Sequence, residues 1–98
     1  MKTYKYELLI EDRQRIYVGD KDVRPLSVGE QNGKMVMWAW VREGLFTEEY
    51  NNYVTVDIVG TGNPYNGDMA IENFVGTVIM SYGLVWHVYA RLDIRRFL

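Results

Sequence analysis

The chain has no cysteine, only two prolines and a single histidine among its 98 residues. Without cysteine there are no disulfides and no thiolate metal sites, which fits a reducing compartment. With one histidine and no thiol, a zinc site would have to rest on three carboxylates, a rare ligand set. No metal and no other cofactor is therefore expected. No apolar run reaches the roughly 18 residues of a membrane helix. The opening Met1-Lys2-Thr3-Tyr4-Lys5-Tyr6-Glu7 lacks the apolar stretch of a signal peptide. The expectation is a soluble, intracellular protein with no membrane partner. A dominant charge is also missing. Eleven basic and 13 acidic residues give a net charge of −2 and are spread along the chain. With no basic stripe, a duplex nucleic-acid partner is not expected, because phosphate neutralisation supplies most of that affinity.

Aromatic residues are plentiful: 14%, with eight Tyr, three Trp and three Phe. They suit strands and interfaces, where an apolar ring carries a polar handle. The organising signal is Asn32-Gly33, between two runs that read as strands. Both residue types tolerate the positive φ that a type I′ hairpin turn demands. Period-two alternation predicts strands at 3–10, 14–18, 25–31, 34–42, 53–59, 74–80 and 84–91, with Pro25 opening the third where a missing N–H is tolerated. One helical or 3₁₀ turn is expected at 69–72. Seven short strands at about ten-residue spacing predict an all-β fold. It is a small antiparallel sandwich or partly open barrel forming one domain over 1–98, with 92–98 as an appended tail. The fourth strand, Met35-Val36-Met37-Trp38-Ala39-Trp40-Val41, is apolar on both faces. Such a strand must be covered twice or must lend one face to a partner. A homo-oligomer follows, with a two-fold dimer favoured as the commonest closed symmetry.

Candidate chemistry is sparse. His87 sits among Val85, Trp86, Val88 and Tyr89, with no identifiable acid beside it. A strand histidine bonded to a neighbour is the expected state, against the alternative of a general base. Glu11-Asp12 and Glu48-Glu49 are adjacent pairs, which face opposite sides of a strand and make no acid/base dyad by spacing. Asp57 lies inside a strand opposite Val56 and Ile58 and is expected on a solvent face. Gly60-Thr61-Gly62-Asn63 is read first as a turn, because glycine is the default at positive φ. It lacks the Lys-Ser/Thr of a Walker loop and the third glycine of a dinucleotide fingerprint, but its amides could still cradle an anion. Trp38, Trp40 and Arg42 share one strand face, a candidate stacking platform for a nucleobase, with at least one tryptophan expected in the core. Together these give a candidate ligand site of Trp40, Arg42, Gly60, Thr61, Gly62, Asn63 and His87.

The order of these signals resembles a family of bacteriophage proteins of roughly 90–100 residues with no assigned function. It is carried by Tyr4-Lys5-Tyr6-Glu7-Leu8, Gln31-Asn32-Gly33, Trp38-Ala39, Val59-Gly60-Thr61-Gly62-Asn63-Pro64, Phe74-Val75-Gly76-Thr77 and Leu84-Val85-Trp86-His87-Val88. The segment 43–52 and the tail from Ala90 depart from the short form of that family. The resemblance implies a phage accessory protein in the host bacterial cytoplasm and carries over no catalytic residue. The leading functional expectation is a non-enzymatic binding protein acting stoichiometrically against host defence. It would sequester a small nucleotide signal or dock on a host defence protein. A virion or assembly component is the alternative, and a small hydrolase using His87 a second one.

Overall fold

The computed structural model describes residues 1–44, 46 and 49–96; Glu48, and with it the Glu48-Glu49 pair, lies outside them. The described chain is all-β, in the order β1 (Lys2–Leu8), β2 (Arg13–Gly19), β3 (Asp22–Gln31), β4 (Lys34–Arg42), β5 (Asn52–Gly60), a 3₁₀ turn (Ile71–Asn73), β6 (Phe74–Ile79) and β7 (Val85–Asp93). The strands form two antiparallel sheets, β1-β4-β3 and β2-β5-β7-β6. Edge strand β3 lies against edge strand β6. Glu30 of β3 fastens this seam by accepting hydrogen bonds from the Ser81 amide (2.9 Å) and hydroxyl (3.0 Å). Among the described residues, edges β1 and β2 share no such seam, so the sandwich is closed along one side and open along the other.

The hairpin between β3 and β4 forms as its residues dictate. Asn32 and Gly33 have φ of 54° and 79°, and Gln31 pairs directly with Lys34. The register thereby turns Met35, Met37, Ala39 and Val41 of β4 inward, all essentially fully buried, against Val54, Val56 and Ile58 of β5 and Val88 and Ala90 of β7. Burying one Val- or Met-sized side chain contributes about 1.5–3 kcal/mol.

The same register places both Trp38 and Trp40 on the outward face of β4, half-buried and outside the core cluster. The expectation that one of them fills the core is therefore corrected: the alternate methionines occupy that side. The outward face is nonetheless partly covered within the chain. Val36 is buried. The Trp38 ring lies over Gly29, where a Cβ would come within 3.2 Å of it. The Arg42 guanidinium sits 5.4 Å from the Trp40 ring centroid. The second face of β4 is thus partly covered by neighbouring side chains of the chain itself.

Other elements depart from the sequence reading at their ends. β3 begins at Asp22, so Pro25 lies inside the strand and not at its start. It is accommodated by the register shift between Pro25 and Ser27, a bulge that spares a ladder hydrogen bond. β7 runs on to Asp93, which takes the first residues of the presumed tail into the sheet, and Arg96 makes an isolated bridge with Tyr50.

Candidate functional site

The outward face of the four-stranded sheet holds most of the chain's organised polar chemistry. Three strands contribute by alternation: Arg13, Arg15 and Tyr17 from β2, Tyr53, Thr55 and Asp57 from β5, and Tyr89, Arg91 and Asp93 from β7. The pairing sets them in rows, Arg13–Asp57–Tyr89, Arg15–Thr55–Arg91 and Tyr17–Tyr53–Asp93.

Along this face runs a chain of alternating charges. Arg13 donates from Nε (2.6 Å) and Nη2 (2.8 Å) to Asp57 and from Nη2 to Asp68 (2.5 Å). Arg91 contacts Asp68 through Nη1 (3.2 Å) and Asp93 through Nε (2.9 Å). The Thr55 hydroxyl donates to Asp93. Asp57 is only 2% exposed, which corrects its expected place on a solvent face. The segment after β5 folds back over it, and the Tyr65 hydroxyl donates to its carboxylate at 2.6 Å. Tyr65 also stacks on Tyr89, with ring centroids 5.0 Å apart and planes 6° from parallel. An open groove of about 360 Å³ remains beside them.

The electrostatics follow from these contacts. The Arg13 bonds hold the Asp57 carboxyl below its ordinary range against the cost of burial, and Tyr65 helps. Arg13 and then Arg91 bring Asp68 down to about 2. Asp57 in turn raises Arg13, with Asp68 adding to it. Asp57 is therefore an ionised carboxylate accepting three hydrogen bonds. Such a group has no proton to give, and three of its roughly four acceptor sites are taken.

Next to the ion chain lies a different environment. Arg15, Tyr53, Arg91, Asp93, Ile94 and Arg95 line an open groove of about 330 Å³. Arg15 and Arg91 flank Thr55 from opposite sides, so their backbones stand about 10 Å apart, two strand spacings. The Arg95 guanidinium sits 5.8 Å from the Tyr53 ring centroid, and Tyr17 packs edge-on to Tyr53 at 5.3 Å. Arg91 is committed to its two aspartates. The guanidinium groups of Arg15 and Arg95 make no ion pair or hydrogen bond among the described residues.

The residues proposed from sequence divide between the two sheets. Trp40 and Arg42 come together, but on the outward face of the three-stranded sheet. Thr61 and His87 come together on the outward face of the other, with Thr61 Oγ1 2.7 Å from His87 Nε2 and Thr77 Oγ1 2.9 Å from Nδ1. Within one chain the seven residues do not share a pocket, because the two outward faces point away from each other. His87 has both ring nitrogens engaged by threonines, as expected of a strand histidine. The 60–63 segment is a tight turn in which the Asn63 amide donates to the Gly60 carbonyl (3.1 Å) and the Thr61 amide to the Val85 carbonyl (3.2 Å). Two amides of the supposed anion cradle are already spent. Arg15, Arg91 and Arg95 were missed. Their period-two spacing with Arg13 and Asp93 was visible, but not that β5 would bring them side by side.

Fold and face together define a small two-sheet β-sandwich domain with a basic, aromatic groove on one sheet. The chain matches a domain of unknown function (DUF7352) over residues 1–95 and belongs to that family. The match runs through 43–52 and most of the last segment, so these are parts of the family's domain. No curated protein and no solved structure matches the chain.

Proposed function

We propose that this domain is a stoichiometric binding protein with no chemical step of its own. Its ligand is a small anion bearing an aromatic ring, of the nucleotide class, taken up in the groove of Arg15, Arg91 and Arg95. The observation that carries the reading is the pair of unspent guanidinium groups, Arg15 and Arg95, flanking Tyr53. Arginine forks suit phosphate oxygens, and tyrosine and arginine planes suit a base, with each stack contributing about 1–3 kcal/mol. The groove beside Asp57 offers no comparable attraction, because its acids and arginine already satisfy one another. The bacteriophage resemblance supplies the setting. In a host bacterial cytoplasm, a nucleotide signal of defence is the ligand such a protein would sequester.

The test is calorimetric titration with a panel of mononucleotides, cyclic dinucleotides and inorganic phosphate. Binding by the wild type, weakened at least tenfold in Arg15→Ala and in Arg95→Ala, supports the reading. Absence of binding across the panel at millimolar ligand, or full binding by the doubly substituted protein, refutes it.

A further inference from the structure

The four edge strands of the sandwich are not equally protected. Edges present unpaired N–H and C=O groups, which natural sheets blunt with bulges, prolines or covering contacts. β2 has a register shift between Tyr17 and Gly19. β3 has Pro25 and a shift between Pro25 and Ser27. β6 has a shift between Phe74 and Gly76. β3 and β6 also lie against each other. β1 alone pairs without interruption, from Lys2↔Val41 to Leu8↔Met35, and has no proline. Among the described residues, its far side faces no other strand.

The residues of this edge are complementary to themselves. Lys5 and Glu7 point to the outward face on either side of Tyr6, which faces inward with Tyr4 and Leu8. When a second copy is laid antiparallel on β1 with the two-fold axis at Tyr6, Tyr6 faces the partner's Tyr6. Each Lys5 then faces the partner's Glu7, and Tyr4 faces the partner's Leu8. Opposite charges directly across an antiparallel pair are stabilising, as are aromatic pairs. An axis one position pair earlier, at Lys5, would oppose two lysines, so the charges select the Tyr6 register. In the single chain these groups have only exposed partners: Lys5 donates to Gln31 Oε1 at 2.5 Å, and Lys34 reaches Glu7 at 3.3 Å. Exposed pairs of this kind contribute little and exchange readily. The end of the contact is also marked. The Gln14 side chain occupies both the N–H and the C=O of Leu9, so pairing stops at Leu8.

We infer that β1 is the self-association edge of this protein: two copies pair β1 to β1 about Tyr6 and join their three-stranded sheets into one of six. This places the two-fold at an edge and not on the outward face of β4, which neighbouring side chains partly cover. It stands independently of the ligand groove on the other sheet.

Charge reversal tests it. Sedimentation equilibrium from tens to hundreds of micromolar should show a wild-type dimer. Lys5→Glu and Glu7→Lys each set like charges across the axis and should weaken it about tenfold or more. Mixing the two variants should restore a heterodimer, because acid then faces base at all four positions. The absence of native cysteine adds a covalent readout. Residues opposite each other on an antiparallel pair lie about 4.5–5.5 Å apart at Cα, within disulfide reach. Tyr6→Cys should therefore oxidise to a covalent dimer, whereas Lys2→Cys should not. A wild type that stays monomeric throughout overturns the inference. So does a dimer indifferent to both reversals, or a Tyr6→Cys protein that forms no disulfide. If either reversal fails to fold, the cysteine readout decides alone.

Discussion

Replacing Asp57 with alanine should be among the most costly single changes on the outer surface of the four-stranded sheet. The substitution removes a carboxylate that is 2% exposed and accepts three bonds, two from Arg13 and one from Tyr65. Removing one partner of a buried ion pair costs about 3–5 kcal/mol, chiefly because the other charge is left behind. Here the Arg13 side chain is 34% exposed and keeps its bond to Asp68, so it can rehydrate and the lower figure applies. A loss of about 3 kcal/mol corresponds to a melting temperature lower by roughly 12–24 °C in a domain of this size. Urea denaturation followed by circular dichroism measures the first quantity, and a thermal scan the second. Asp57→Asn keeps the shape and an acceptor for Tyr65 while removing the charge, and should cost about half as much. The reasoning is refuted if Asp57→Ala costs less than about 1 kcal/mol. It is refuted equally if Asn and Ala cost the same, since the shape and the Tyr65 acceptor that Asn keeps would then contribute nothing.

Acid should weaken the fold through the same contacts. Asp57 and Asp68 both have carboxyl pKa values below their unfolded ones, and Asp68 lies at about 2. Their contribution is therefore complete above the unfolded value of about 3.9 and is lost as pH falls from there toward 2; a urea midpoint measured across that window should decline, and decline less in Asp68→Asn. On the other sheet, Gly29→Ala sets a methyl group about 3.2 Å from the Trp38 ring. It should cost about 1–3 kcal/mol as the ring gives way, with a red shift of tryptophan emission as the second readout; unchanged stability and emission would contradict the packing described.

The β content and the Asn32-Gly33 hairpin were legible because each is local. Alternation marks a strand wherever one face is buried, and positive φ selects Asn and Gly with no outside help. The fate of the two tryptophans was not legible. Trp38 and Trp40 sit on an apolar face as good as that of Met35 and Met37, and only the position of the second sheet decides which face is core. The charged face was hidden for a related reason. Arg13, Asp57, Asp68 and Arg91 lie 44, 11 and 23 residues apart in succession, and each alone reads as a solvated side chain. Their meeting depends on β5 lying between β2 and β7, an order that period-two patterning does not encode. Pro25 shows the same limit on a smaller scale, because a bulge can admit a proline where the local pattern predicts a strand end.

The interleaving of the two sheets also has a temporal side. β1 belongs with β4, and β2 with β5, so the first two strands to be synthesised have no partner of their own sheet beside them in sequence. About thirty residues separate β1 from the end of β4, which is roughly 2–6 s of translation at ordinary rates. Through that interval β1 is bare along both sides, and its Lys2, Lys5 and Glu7 are the charges that keep a nascent segment rich in tyrosine and leucine in solution. Closure of each sheet waits on strands made later, so folding should be slow for the chain's size, in the millisecond-to-second range of non-local β topologies.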